Sequence, residues 1–293
     1  MRKHVRASLA WAGREAYPTL AVAALALAAA AQQLPFEPAH DTGQSITGAF
    51  EGWFANADGS FTILVGYYNR NLKQEFDIPT GPNNRIEPGG PDFGQPTHFL
   101  PGRQWGIFTI RVPKDFGEKK LTWTLTANGK TTAIPLNINT LWEVEPFAEA
   151  SGNTPPFIGF SESGPFVQGP IGPSTSMVAS IAEPIALNVW VADDAKAPAA
   201  GMRPRTSPVM LGWSKFRGPG TVTFAAERPQ VEKSEFKAPP PATFTGRSTT
   251  TATFSEPGEY VLRLVANDWS GDGGRGFQCC WSNAQVKVSV KGR

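Results

Sequence analysis

The chain has 293 residues, of which 30 are glycine, 27 are proline and only 18% are charged. Turn-forming residues at this level exclude a helical bundle or coiled coil, and 40% hydrophobic residues with 9 Trp and 19 Phe exclude general disorder. The formal net charge is +2 and no basic run follows the N-terminus, so electrostatic binding to nucleic acid has no support. The composition predicts a turn-rich, all-β protein.

Residues 1–31 have the parts of a signal peptide. Arg2, Lys3 and Arg6 form a basic start, and an uncharged run from Leu20 to Ala31 ends in three alanines. This run is too short for a membrane-spanning helix, which needs ~20 residues, so a cleaved signal is favoured over a retained anchor. The segment carries four Lys or Arg and one Glu, so its removal changes the formal net charge from +2 to −1. We expect an exported protein, periplasmic or extracellular, with no transmembrane span in the mature chain.

Residues 42–140 are predicted to form a first β-sandwich domain. Apolar, β-branched and aromatic runs alternate here with turn signals, as is typical of strands. Asp58-Gly59 separates GAFEGWF from the run GSFTILVGYY, and Asn128-Gly129 separates LTWTLTA from its return strand. Five strands are predicted, with a weaker one around 72–78. The motifs of this block identify no known family.

A long stretch rich in Pro, Gly and Asn, residues 76–104, interrupts the first block. Loops of this length are often functional, although aromatic residues in such a loop can also close the end of a sandwich. Adjacent tyrosines on a strand point to opposite faces, so one ring of Tyr67-Tyr68 is available for stacking on a sugar. The candidate ligand-binding residues of this domain are Tyr67, Tyr68, Asn69, Arg70, Asn83, Asn84, Asp92 and His98.

Residues 141–176 form a strap rich in Pro, Gly and Phe between the first block and the second. Its prolines and glycines argue against regular structure, whereas its Trp and Phe residues are too apolar for a solvated linker. We expect this strap to lie against one or both domains.

Residues 177–291 contain six short alternating strands and a seventh at SMVASI, with turn signals between them. The decisive motifs are LGWSKFRGPGTVTFA, then TTTATFSEPGEYVLRLVANDWSG, then a closing VKVSV. Over about residues 185–291 this pattern resembles PKD and related Ig-like repeats of bacterial surface proteins. The resemblance implies an Ig-like sandwich and is nearly silent on function. The chain is therefore predicted to hold two Ig-like β-sandwich domains in tandem, joined by the strap.

Two aromatic residues are predicted to form the core of the second domain. Trp213 is the large ring expected on its middle strand, before the sharp Gly218-Pro219-Gly220 turn. Tyr260 follows Pro257-Gly258, the setting of a tyrosine corner, in which the ring is buried and the hydroxyl bonds to nearby backbone.

The only cysteines, Cys279 and Cys280, are adjacent. Disulfides persist in exported proteins, and the flanking glycines permit the tight turn that a vicinal disulfide needs. Two unpaired thiols, an intermolecular disulfide and a thiolate metal site with His40 or His98 are the alternatives that the sequence leaves open.

Carboxylates gather near strand ends of the second block, at Asp193, Asp194, Asp268 and Asp272. Oxygen ligands of this kind can hold Ca²⁺, but aspartate is also an ordinary turn residue, and the turn interpretation is favoured. No other cofactor is predicted.

Local catalytic motifs are absent from the sequence. His40 and His98 have no zinc-binding spacing, and there is neither a G-x-S-x-G elbow nor a glycine-rich phosphate loop. These features favour an exported, non-catalytic binding or structural module of the bacterial envelope or cell surface, of the protein–protein or adhesion type, with a protein or glycan as partner. The alternative is a secreted carbohydrate-binding or carbohydrate-active protein that uses the N-terminal domain, because paired catalytic carboxylates need no local motif.

Overall fold

The computed structural model describes residues 40–150, 152–196, 207–268 and 279–292. The predicted signal peptide lies outside these residues. All described residues belong to one compact unit, His40–Arg293, and they confirm the all-β class. The helical content of these ranges is a single 3-10 turn at Thr140–Trp142. They include no helix with the length and apolar character to cross a membrane.

Eight strands surround the first apolar core. They are β1 (Ile46–Ala55), β2 (Phe61–Asn69), β3 (Phe76–Asp77), β4 (Asn84–Glu87), β5 (His98–Phe99), β6 (Gly102–Val112), β7 (Leu121–Ala127) and β8 (Lys130–Leu136). One sheet has the order β1-β2-β6 and another the order β4-β7-β8, while β3 and β5 form a short ribbon. Phe108 from the first sheet meets Trp123 from the second edge to face, with ring centroids 5.2 Å apart. The alternating apolar residues of these strands thus form one sandwich core.

Ten strands form the second sandwich. They are β9 (Phe157–Gly159), β10 (Val167–Gln168), β11 (Ser174–Ser180), β12 (Ile185–Asp193), β13 (Met210–Arg217), β14 (Val222–Phe224), β15 (Glu232–Lys233), β16 (Phe244–Phe254), β17 (Gly258–Asn267) and β18 (Trp281–Lys291). One sheet has the order β10-β9-β12-β16-β14, with β15 also paired to β16, and the other has the order β11-β18-β17-β13. The order β9-β12-β16-β14 opposite β18-β17-β13 is that of an immunoglobulin-like sandwich. Membership of the PKD family remains an interpretation of the sequence.

Trp213 and Tyr260 lie in the core of this second sandwich. Trp213 is 4% exposed and stacks on Phe224, with ring centroids 6.4 Å apart. Tyr260 is 1% exposed, and its hydroxyl accepts a hydrogen bond from the Gly220 N–H and donates one to the Glu256 carbonyl, both 3.0 Å long. This arrangement is a tyrosine corner, which ties the start of β17 to the turn before β14.

Residues 141–176 differ from the expected strap because part of the segment is regular. Near its start, the Val144 N–H donates to the Trp53 carbonyl of the first sandwich at 2.9 Å. Further on, β9 pairs with β12, and β11, which begins at Ser174, pairs in parallel with β18. The pairing edges of β12 and β18 thus supply the hydrogen bonds that hold these pieces extended. We propose that the boundary between the two domains lies between Val144 and Phe157.

Segment 76–104 docks onto the second sandwich. Phe216 of β13 is 3% exposed and packs within the apolar core of the first sandwich, while its carbonyl accepts a hydrogen bond from the Thr97 N–H at 3.1 Å. The neighbouring side chains Lys215 and Arg217 form ion pairs with Asp77, at 2.8 Å, and with Asp92, at 2.7 Å. The segment therefore neither projects as a free loop nor only closes its own sandwich.

We predict that Tyr260→Phe lowers the free energy of unfolding by about 1–3 kcal/mol, because the change leaves the Gly220 N–H buried without its acceptor. Chemical denaturation measures this loss. Tyr68→Phe is the matched control, since the Tyr68 ring is 44% exposed, and its effect should stay within about 0.5 kcal/mol. Equal stabilities of the two variants would exclude a stabilising role for the tyrosine corner.

We also predict that a fragment of residues 152–292 unfolds cooperatively on heating, whereas one of residues 177–292 does not. Only the longer fragment contains β9, β10 and the first three residues of β11. The shorter fragment therefore leaves the β12 edge without β9 and pairs only part of the β18 edge. Calorimetry of both fragments checks the proposed boundary. Equal melting of the two would move it toward residue 177.

Candidate ligand-binding cleft

The eight residues predicted as a binding surface in the first sandwich do not meet at one site. Tyr67 is 1% exposed, and its hydroxyl accepts a hydrogen bond from the Leu100 N–H at 2.7 Å. Asn69 and Asn84 are fully buried and donate their side-chain amides to backbone carbonyls of the same domain. These three residues support the sandwich from inside and offer no surface to a ligand.

Three other members of this set lie on the surface. The Arg70 guanidinium carbon is 5.6 Å from the centroid of the Tyr68 ring, and Asn83 is exposed. Tyr68 and Arg70 therefore form the surviving part of the predicted aromatic platform.

The last two members, Asp92 and His98, belong to the docking segment. Asp92 is held by Arg217, and this hydrogen bonding lowers the pKa of the Asp92 carboxyl. His98 is 8% exposed, with its Nδ1 2.9 Å from Asp77 Oδ1. Burial and the nearby Lys215 lower the pKa of His98, and they outweigh its acidic neighbours, which would raise it. Asp92 thus contacts the second sandwich directly, and His98 contacts Asp77, which is itself paired with Lys215 of that sandwich.

The three described members of the predicted carboxylate cluster, Asp193, Asp194 and Asp268, accept hydrogen bonds from nearby groups. Asp194 Oδ2 accepts from the Thr154 N–H and hydroxyl at 3.0 and 3.1 Å, and Asp268 Oδ2 accepts from the Asn153 amide at 2.6 Å. Asp193 is 1% exposed, and burial together with nearby carboxylates raises the pKa of its carboxyl to about 7. The part of the chain that the structure describes contains no group of three or more His, Cys, Asp or Glu placed to hold a metal. Asp272 lies outside it.

Cys279 and Cys280 are joined to each other by a disulfide, and both are buried. The next residue, Trp281, is 5% exposed and packs with Phe54 of the first sandwich. Its ring lies directly over Gly106, where a Cβ atom would overlap it. The disulfide thus adjoins a contact between the two sandwiches.

A cleft of about 630 Å³ opens between the sandwiches beside this contact. Its walls come from the start of β6, the start of β13, the end of β17, the first residue of β18 and segment 228–231. Among the described residues that line it are three arginines, Arg103, Arg228 and Arg263, and no carboxylate.

A buried acid behind the cleft wall holds one of these arginines. Glu51 falls at an irregularity between Phe50 and Gly52 in the pairing of β1 with β2, as in a β-bulge. Its Oε1 is 2.5 Å from Arg103 Nη2, and its Oε2 accepts a hydrogen bond from the Gly106 N–H at 2.6 Å. A Cβ on Gly66 would overlap this ion pair, so the glycine provides the space that the pair occupies.

Arg263 is a buried cation in the same wall. It is 6% exposed, and burial lowers the pKa of its guanidinium to about 10, which still leaves it charged at neutral pH. Its Nε donates to Asn283 Oδ1 at 2.9 Å and its Nη2 to the Trp105 carbonyl at 3.4 Å, while its Nη1 bonds to no described residue. Glu51 is the carboxylate whose charge acts on both Arg103 and Arg263. Burial raises the pKa of the Glu51 carboxyl and the two guanidiniums oppose this effect, so at most one negative charge faces two positive ones.

Two further polar atoms of the cleft lining lack a partner among the described residues. They are Trp105 Nε1, a donor, and Asn267 Oδ1, an acceptor, and both are buried. The Arg103 guanidinium lies over the Trp105 ring, with its carbon 3.8 Å from the ring centroid. Unpaired buried groups cost free energy, so this wall is incomplete as a purely structural interior.

The sequence analysis did not identify the residues of this cleft. A signal exists for Arg263 of the lining, which interrupts YVLRLVAN, and for Glu51 behind the wall, which interrupts the apolar run GAFEGWF. Charged residues are almost never fully buried without a partner, so such interruptions mark a site to inspect. That Arg263 lies in the same wall as Glu51 and Arg103 follows only from the docking of the sandwiches, because it belongs to β17 of the second one.

No family model and no curated protein matches the chain. Solved structures with weak similarity include a family 123 glycoside hydrolase from Clostridium perfringens, at 9% identity, 41% of this chain, 23% of that chain and a TM-score of 0.25. Domains 4 and 5 of the S-layer protein SbsC are similar at 12% identity, 84% and 98% coverage and a TM-score of 0.22. The sialic acid binding region of a Streptococcus sanguinis SK1 adhesin is similar at 13% identity, 59% and 35% coverage and a TM-score of 0.22. Scores this low define neither a fold nor a function for this chain.

We predict that the contribution of Asp193 to the free energy of unfolding becomes less favourable as the pH rises from about 4 to about 7. Its pKa is about 7 in the folded chain against an ordinary 3.8, so the folded state binds the proton more tightly in this interval. Asp193→Asn should therefore gain up to about 4 kcal/mol relative to the parent between pH 4 and pH 8. Urea titrations at several pH values measure the difference. Exposed Asp115→Asn should follow the parent curve, and an unchanged profile for Asp193→Asn would contradict the assignment.

Proposed function

We propose that this chain is an exported, non-catalytic binding module of the bacterial envelope, with its ligand site in the cleft between the two sandwiches. The observation that carries this proposal is the cleft itself, whose described lining residues include three arginines and no carboxylate. Its volume of about 630 Å³ is in the range of small-molecule sites, and such sites occur preferentially at domain interfaces.

The charges of the cleft favour binding over glycan cleavage. Glycoside hydrolysis uses, in most families, two carboxyl groups that flank the scissile bond. The acid behind this cleft, Glu51, is 8% exposed at its side chain and engaged by Arg103 and the Gly106 N–H. A glycan remains a suitable ligand, whereas the described lining residues supply no carboxyl group for its hydrolysis.

The docking of the sandwiches supports a preformed site. Phe216 is buried in the core of the first sandwich, and Trp281 is buried against Phe54 of the same sandwich. The ion pairs of Lys215 and Arg217 flank the Phe216 contact. A site held by apolar contacts on both sides keeps its shape without ligand, which reduces the ordering cost of binding.

The experiment is a glycan and peptide array probed with labelled chain lacking residues 1–31. Met210 lines the cleft and is 38% exposed, so Met210→Trp should narrow the site without disturbing a core. We predict that this variant loses the array signals of the parent while its melting temperature is retained. Val178→Trp, at a 62% exposed position outside the cleft lining, is the matched control and should keep them. Binding that Met210→Trp leaves unchanged would place the ligand elsewhere.

A further inference from the structure

We infer that the ligand of this cleft is a sugar acid, a hydroxylated ring that carries a carboxylate, and that Arg263 binds the carboxylate. This inference rests on the proposed function and names the ligand class of the same site. It is carried by the charges and the unpaired polar atoms of the cleft wall.

The first step is the charge balance of the wall. Among the described residues, Glu51 is the one carboxylate whose charge acts on both Arg103 and Arg263, and its direct ion pair is with Arg103. A buried cation without its own counter-ion is unfavourable, so Arg263 favours an additional negative charge nearby. A carboxylate in the cleft supplies that charge.

The second step is the shape of the donor. Nη1 of Arg263 makes no hydrogen bond to a described residue, while Nε and Nη2 are anchored to Asn283 and the Trp105 carbonyl. The anchors fix the plane of the guanidinium, so its remaining N–H groups are oriented before a ligand arrives. A planar guanidinium is well suited to hydrogen-bond a carboxylate.

Arg228 extends the positive potential to the cleft rim. Its side chain is exposed, and none of the ion pairs between described residues includes it. An exposed cation at the rim attracts an anion chiefly through solvent, so its contribution should weaken with added salt.

The third step separates a sugar acid from a simple anion. Asn267 Oδ1 requires a donor and Trp105 Nε1 requires an acceptor, and both atoms lack partners among described residues. Fully ionised sulfate or acetate can only accept hydrogen bonds, whereas a sugar hydroxyl both donates and accepts. A ring with hydroxyl groups and one carboxylate therefore matches all three unmet requirements of the wall.

The test is calorimetric titration of the chain lacking residues 1–31 with trisaccharides of glucuronic, galacturonic and mannuronic acid. Each trisaccharide is compared with its own methyl ester, which keeps the ring and the hydroxyl groups and removes the charge. We expect at least one acid to bind and its ester to bind about tenfold more weakly or worse, as for loss of a charged hydrogen bond. A sulfated neutral trisaccharide and a peptide with a free C-terminal carboxylate complete the panel, and each should bind more weakly than the acid.

Three variants locate the binding. Arg263→Lys keeps the charge but loses the planar donor group, and it should weaken binding about tenfold. Arg228→Gln changes an exposed side chain, so it should fold normally, weaken binding a few-fold and reduce the dependence of affinity on salt. Arg70→Gln removes the exposed arginine beside Tyr68, outside the cleft lining, and should have no effect. If Arg263→Lys does not fold, the esters and Arg228→Gln still decide the question.

Esters that bind as tightly as their acids, or a panel without any binding acid, would overturn the sugar-acid inference. Preferred binding of the peptide or the sulfated sugar would overturn it as well. In these cases, array signals that the parent shows and Met210→Trp loses would leave the proposed cleft function intact. Loss of binding in Arg70→Gln with full retention in Met210→Trp would overturn both proposals, because it places the site on the Tyr68 surface.

Discussion

The cleft depends on the apolar docking of the two sandwiches. Phe216 of β13 packs in the core of the first sandwich, while Trp281 lies over Gly106. Both contacts place large rings against a partner surface, where the burial of apolar area stabilises association. Gly106 is essential to the second contact, because any side chain there would occupy the position of the indole ring. Without this docking, Arg103 and Arg263 would belong to separate surfaces.

Docking also creates an electrostatic conflict that the fold resolves only in part. The irregular pairing at Glu51 and the missing side chain at Gly66 place one carboxylate beside Arg103, and its charge also acts on Arg263. Replacing such a cluster by apolar residues often stabilises a protein, so a buried charge group is weak support for a stabilising role. Charged residues at positions that otherwise favour apolar ones occur mostly at functional sites, which agrees with the proposed role of the cleft in binding an anion.

The elements that hydrophobic alternation controls were predictable from sequence. Alternation and turn signals identified the long strands of both sandwiches, and Pro257-Gly258 before Tyr260 indicated a turn into β17. Segment 141–176 was harder because Phe157–Gly159 is extended only where β12 offers a pairing edge. Likewise, nothing local distinguishes Tyr67, which is buried, from Tyr68, which is exposed, since the side that faces the core is set by the packing of the two sheets.

The sequence by itself determined the all-β class, the strands with strong alternation and the adjacency of the two cysteines, because each depends on residues close together in the chain. The tertiary structure alone decided that segment 76–104 binds the second sandwich, and that Arg103 and Arg263, 160 positions apart, share Glu51. The physical reason is that a charge pattern becomes a site only when packing fixes distances and excludes water. Those distances are set by Phe216 and Trp281, whose partners lie in the other sandwich.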